Sequence, residues 1–212
     1  MKILVIITLF LINLYTVVHA VVDSNNSIIA YPSENAFINN PTPELVGFVK
    51  DSFDNPVANQ TIILSVDNHY LDTVVSDENG MWSYIILPSQ TLTDGNHSLT
   101  AFIQELGSAL SPQYFTIDTV APEAPIITVP IQNSVIEANV VTVSGATEPY
   151  ATITVFIDND ADGQKCSSDE TGFWTLDTFL AAGNHVLQAQ AEDLAFNIGP
   201  LSNSLLFSVN TL

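Results

Sequence analysis

The feature that most constrains this chain is that it is written twice. SDENGMW at 76–82 returns as SDETGFW at 168–174, and DGNHSL at 94–99 returns as AGNHVL at 182–187. ILSVDN at 63–68 matches TVFIDN at 154–159, and FTIDTV at 115–120 matches FSVNTL at 207–212. These anchors keep their order at a spacing of about 90 residues, and the first glycines of LVGFV and VSGAT place Gly47 and Gly145 in register. A unit repeated in order at this length folds as two small domains, each with its own core, rather than around one large one.

Within each copy the pattern is β. TIILSV, TITVFI, WSYIIL, HSLTAFI and YFTI are short runs rich in β-branched and aromatic residues. Turn residues punctuate them every 8–12 residues, as in DSFDNP, DENG, TDGN, DETG and AAGN. No window sustains an apolar period of 3.6 residues. About seven short strands per copy predict an all-β fold of two tandem immunoglobulin-like antiparallel sandwiches. Trp82 and Trp174 follow the turn glycines Gly80 and Gly172, and are expected to plug the two sheets of each sandwich together.

The boundaries follow from composition. Residues 1–20 carry a basic start at Lys2, an apolar run of about 16 residues and a small-residue site at Val18-His19-Ala20, the pattern of a secretory signal peptide. That run is short for a membrane span, which needs roughly 20 residues. The reading is then an N-terminal extension at 21–34, a first domain at 35–119, a linker at 120–125 and a second domain at 126–212. Pro122 and Pro125 stiffen the linker, stringing the domains end to end.

Charge excludes whole classes of function. The formal net charge is −20, with 23 carboxylates against three basic residues, of which Lys2 leaves with the signal. Such a chain repels nucleic acid and anionic lipid heads, and the mature protein is expected to touch no membrane. Acidity in a secreted chain instead invites cations. One cysteine, Cys166, makes no internal disulfide, and it reads either as a small buried hydrophobe or as half of an intermolecular disulfide.

Together, TEPYATITVFIDN, SDETGFWTL and LAAGNHVLQAQAEDLAFNIGPLSNSLLFSV resemble one repeat of the bacterial Ig-like domains of large secreted and surface adhesins. FTIDTVAPEAP is similar to that family's linker between repeats. The first copy departs from the pattern, because FIQELGSALSP replaces the A-x-D-x-A-x-N stretch. The resemblance implies an extracellular stalk or adhesive module, in some members stiffened by Ca²⁺ at the domain junctions.

Two places are candidates for such an ion. DNDADGQKCSSD at 158–169 sets Asp158, Asp160 and Asp162 at alternate positions before Gly163, close to an EF-hand loop. The repeat register makes it a hairpin instead, turning at Asp162-Gly163, with Asp169 a strand's length from Asp158. What survives is a weak extracellular-type cation site, set against a solvated acidic turn. The second candidate is the junction. Asp118 ends the first copy where the second has Asn210, with Glu123 and Glu148 nearby, and Asp193 expected at the far end.

His97 and His185 occupy one repeat position and read as structural, while His69 sits at a hairpin tip without a second nitrogen ligand beside it. No nucleophile, phosphate-loop or zinc motif appears, so no catalytic residues are assigned and no enzyme is expected. The expected function is a secreted, non-enzymatic adhesion or structural stalk module, possible calcium stiffening included, meeting a host or cell-surface protein or glycan. The alternative is a secreted carbohydrate-binding module, with Tyr31, Tyr70, Tyr114 and Tyr150 in loops or at strand ends as platforms for sugar rings.

Overall fold

A computed structural model describes Asp23 and residues 26–210; the signal-peptide segment at 1–20 lies outside the described residues. The first domain pairs β1 (Ile28–Tyr31), β3 (Glu44–Phe48) and β6 (Met81–Ile85) into one antiparallel sheet. Its second sheet runs β2 (Ala36–Ile38), β9 (Gln113–Ile117), β7 (Gly95–Ile103), β4 (Thr61–Val66) and β5 (His69–Val75), with β8 (Ser108–Ala109) beside β7. The second domain repeats this plan. β10 (Ile126–Val129), β12 (Val140–Ala146) and β15 (Phe173–Phe179) form the smaller sheet. β11 (Val135–Ile136), β17 (Leu205–Val209), β16 (Gly183–Glu192), β13 (Thr152–Ile157) and β14 (Gln164–Ser167) form the larger one. Among the described residues the fold is therefore all-β, as expected, apart from one 3-10 turn at Pro88–Gln90.

One boundary differs from the sequence reading. The stretch expected as an extension, 21–34, holds β1, which pairs with β3 through Ile28↔Phe48 and Ile29↔Gly47 and buries Ile29 in the first core. The cause of the miss is plain: IIAY is four residues long and ends at Pro32, too short to show alternation. Its counterpart β10 falls inside the expected second domain, whose start at 126 was set by the proline-containing linker.

Alternation builds the two cores. β4 and β13 share one pattern, every second residue buried, so that Ile62, Leu64 and Val66 match Ile153, Val155 and Ile157. β7 turns His97, Leu99, Ala101 and Ile103 inward, and β16 turns His185, Leu187, Ala189 and Ala191 inward. Trp82 and Trp174 are each 1% exposed and close the sandwich from the smaller sheet. Each indole lies flat on a glycine of the neighbouring strand, Gly47 or Gly145, where a side chain has no room. In both copies the indole N–H has no hydrogen-bond partner.

The turns are built as the repeats require. Asp77 and Asp169 each cap a four-residue turn, their Oδ1 accepting from the backbone N–H groups of Asn79 and Met81, and of Thr171 and Phe173. Gly80 (φ +71) and Gly172 (φ +83) supply the left-handed residue that each turn needs.

Candidate functional site: the domain junction

The antiparallel return of each strand brings four carboxylates to the linker. Asp118 follows β9, and its backbone N–H donates to the Ile38 carbonyl. Its Oδ1 accepts from the Val120 N–H and so starts the linker as a turn. Thr119 is held from the first domain, its N–H and Oγ1 both donating to Asp94. From the second domain, Asn197 Nδ2 donates to the Asp118 carbonyl oxygen at 2.8 Å and to Asp193 Oδ2 at 2.9 Å. Gly199 lies so close to the linker that a side chain there would meet the Pro122 carbonyl. The loop at 193–199 thus packs directly on the linker.

This arrangement corrects the position expected for Asp193. That residue follows β16, which runs back toward the start of the second domain, so it stands at the junction and not at the far end. Its Oδ1 accepts from the N–H groups of Ala195 and Asn197, which fixes the loop. Asn197, the residue that ties the domains, was missed by sequence reasoning. Its signal was there in the A-x-D-x-A-x-N stretch, which only the second copy carries.

The junction concentrates negative charge. Burial, and after it the charges of Asp193, Asp118 and Glu123, hold the Glu148 carboxyl above its usual range. The repulsion is therefore shared among these four groups. Hard carboxylate and carbonyl oxygens are the donors calcium prefers. Among the described residues, however, no three of His, Cys, Asp and Glu stand close enough to hold an ion as placed. The donors fit the chemistry, and their spacing makes the site open rather than a finished cage.

The acidic hairpin is less suited. The positive-φ pair at its start is Asp158-Asn159, not Asp162-Gly163 alone, matching the turn Asp67-Asn68 of the first copy. The second copy then adds residues before β14, with Gly163 (φ +63) tucked against Thr154 and Phe156. Asp158 is already occupied: Oδ2 faces His185 Nδ1 at 2.7 Å and Oδ1 accepts from the Val186 N–H. Asp160 Oδ1 accepts from the Asp162 N–H in a local turn. The turn is thus left with two carboxylates, Asp160 and Asp162, on an exposed loop, and Asp169 lies beyond β14 in a separate turn.

The other singled-out residues fall as follows. Cys166 sits on β14 opposite Ile153, half-buried against the second core, and burial pushes its thiol up. Tyr31 ends β1, Tyr70 and Tyr114 stand second in β5 and β9, and Tyr150 lies in a loop with φ +62. All four are exposed. Phe37 and Tyr114 line a shallow groove of about 320 Å³ on the outer face of the first domain, with Asn35, Asn96 and Thr116.

No protein-family model matches the chain, and no curated protein sequence is similar to it. Solved structures are. The fibronectin(III)-like modules of Clostridium thermocellum CbhA align over 87% of this chain and 94% of theirs, at 12% identity and a TM-score of 0.55. The Yersinia pseudotuberculosis adhesin InvE aligns over 89% of this chain and 60% of its own, at 17% identity and a TM-score of 0.35. A Ca²⁺-stabilised, ice-binding adhesin of an Antarctic bacterium aligns over 83% and 46%, at 18% identity and 0.37. The two adhesin scores are too low to bear on the fold. The first likeness establishes it: two tandem sandwiches of the immunoglobulin and fibronectin-III kind.

Proposed function

We propose that this chain is a secreted, non-enzymatic stalk or adhesion module, in which the second domain seats the first at a fixed angle. The observation that carries the reading is the tie across the junction, Asn197 to the Asp118 carbonyl, backed by the loop at 193–199 packed on a proline-stiffened linker. A stalk has to resist bending between modules, and this is where a two-domain chain bends. The signal-like start supports placing it outside the cell, against a host or cell-surface protein or glycan.

Calcium belongs to the same proposal. An ion at the junction would be held by Asp118, Glu123, Glu148 and Asp193, and would relieve the repulsion they share. A site so open would belong to the weak extracellular class, with dissociation constants on the order of 10⁻⁴–10⁻³ M. Calorimetric titration of the full chain with CaCl₂, with small-angle scattering in parallel, tests it. The expected result is millimolar binding that narrows the spread of interdomain distances and disappears in Glu148→Gln. No binding, with scattering unchanged by the ion, rejects calcium and leaves the hydrogen-bonded junction to do the stiffening.

The groove at Phe37 and Tyr114 supports a second reading, carbohydrate binding, because it sets two aromatic faces beside the amides of Asn35 and Asn96. A glycan array decides: retention of a glycan that is lost in Tyr114→Ala favours this reading, and an empty array removes it.

A further inference from the structure

His97 and His185 make the same contacts in the two domains, and those contacts fix their charge. The Nδ1 atom of His97 lies 2.7 Å from Asp67 Oδ2, and its Nε2 lies 2.7 Å from the Thr93 carbonyl oxygen. His185 Nδ1 lies 2.7 Å from Asp158 Oδ2, and its Nε2 lies 2.9 Å from the Ala181 carbonyl oxygen. A neutral imidazole has one N–H and one bare lone pair. Here both ring nitrogens face oxygens that only accept, so one of the two contacts would set lone pair against lone pair at hydrogen-bond distance. With both nitrogens protonated, each contact becomes a donated hydrogen bond.

The surroundings agree on where the proton sits. The remaining oxygen of each aspartate accepts backbone N–H, from Ser98 or Val186, which favours the ionised carboxylate over a protonated one. Each imidazole is buried and tilted against a phenyl ring, Phe115 or Phe207, with centroids 5.6 and 5.5 Å apart. Among the described residues, the charged group facing His97 is Asp67 from the β4–β5 turn. β9 presents Phe115, and the loop before β7 presents a carbonyl, while Asp94 turns to Thr119. His185 faces Asp158, Phe207 and the Ala181 carbonyl in the same way.

We propose that His97 and His185 are buried imidazoliums acting as proton-locked latches, and that the latch in the first domain governs the linker. The second half follows from position. Thr93, whose carbonyl the imidazolium holds, directly precedes Asp94, whose carboxylate holds Thr119 at the start of the linker. Losing the proton turns one contact repulsive, frees the loop at 91–95, and with it the anchor of the linker. In the second domain the same latch lies at the end away from the junction, so it titrates without moving the linker.

The direction with pH follows. Burial works against the charged form of His185, but the Ala181 carbonyl and the Asp158 carboxylate outweigh it and hold the ring above its ordinary value. Burial opposes ionisation of Asp67 as well, and the hydrogen bonds from His97 and Ser98 outweigh it, leaving that carboxyl below its usual range. A group raised in the folded state gives stability that is fully present below its unfolded value, about 6.5 for histidine, and lost as pH rises through the folded value.

Long-range proton–nitrogen NMR of the imidazoles in the full chain tests this directly. At pH 6, both nitrogens of His97 and of His185 are expected in the protonated form. On raising the pH toward 9, the protection factors of the Thr119 and Val120 amides, taken relative to base-catalysed intrinsic exchange, should fall together with the loss of the His97 signal. The melting temperature should fall by about 5 °C between pH 6 and pH 9. His97→Gln should leave the Thr119 protection factor independent of pH over this range, and His185→Gln should not. A neutral tautomer at either position at pH 6 overturns the proposal, and this reading of the unmodified chain does not depend on either variant folding. A Thr119 protection factor that ignores the state of His97 overturns the linker half alone.

Discussion

Gly145→Ala is a severe small change, and its cost can be worked from geometry. A Cβ on Gly145 would stand 2.0 Å from the Ile126 carbonyl oxygen and 2.6 Å from Trp174 Cζ2. Ordinary contact begins at 3.4 Å, so the shortfall toward the carbonyl is about 1.4 Å (3.4 less 2.0). Trp174 cannot swing aside, being 1% exposed and packed in the second core. β10 is fixed to β12 through Ile126↔Ala146 and Ile127↔Gly145, so the strands must part there. Overpacking of a tight core costs about 1–3 kcal/mol, and a lost ladder hydrogen bond about 1 kcal/mol more. A loss near 3 kcal/mol lowers the melting temperature of a domain this size by roughly 12–24 °C. Urea unfolding followed by tryptophan fluorescence reads it, because each domain holds one of the two tryptophans. Gly47→Ala should do the same to the first domain, where the Cβ would stand 2.1 Å from Trp82 Cζ2. A Gly145→Ala midpoint within about 1 kcal/mol of the parent would refute the reasoning, since the strands would then separate at little cost.

Asn197→Ala should leave both unfolding transitions within about 1 kcal/mol of the parent while widening the interdomain distances seen by small-angle scattering, because the bond it removes joins domains and not a core. Asp169 is held below the usual carboxylate range by hydrogen bonds from Thr171, side chain first and then backbone, and from Phe173 and Gly172, against a small opposing effect of burial. The stability it gives is present above its unfolded value, near 3.8, and is lost as pH falls through the lower folded value. Asp169→Asn should therefore flatten the acid limb of second-domain unfolding below about pH 4, as followed by circular dichroism. Cys166 should react slowly with a maleimide in the native state and fast in denaturant, because burial both covers the thiol and disfavours the thiolate. Equal rates would place β14 away from the core.

How much of this was legible without coordinates varies from residue to residue. Repeat comparison located Trp82, Trp174, Gly80 and Gly172, two buried tryptophans and two turn glycines of positive φ, since such positions depend on local turn chemistry and on burial. It also marked His97 and His185 as structural. It could not show that their two nitrogens face oxygens contributed from Asp67 and Thr93, or from Asp158 and Ala181, because those partners lie up to 30 residues away. β1 was hidden by its brevity. Asp158 looked like a metal ligand because alternate aspartates in sequence resemble a loop that gathers them, whereas the fold spends one on a histidine.

The sequence by itself determined the class: two copies of one β-sandwich, each stabilised by its core without an internal disulfide. These properties follow from composition, alternation and repetition, which are local or additive. The tertiary structure alone decided what meets at the junction. Asp193 and Asn197 lie more than 70 positions from Asp118 along the chain, and reach it because β16 returns antiparallel to the end from which the linker enters. Which end of a strand a loop occupies is set by strand direction within the sheet, and no local pattern of residues encodes it.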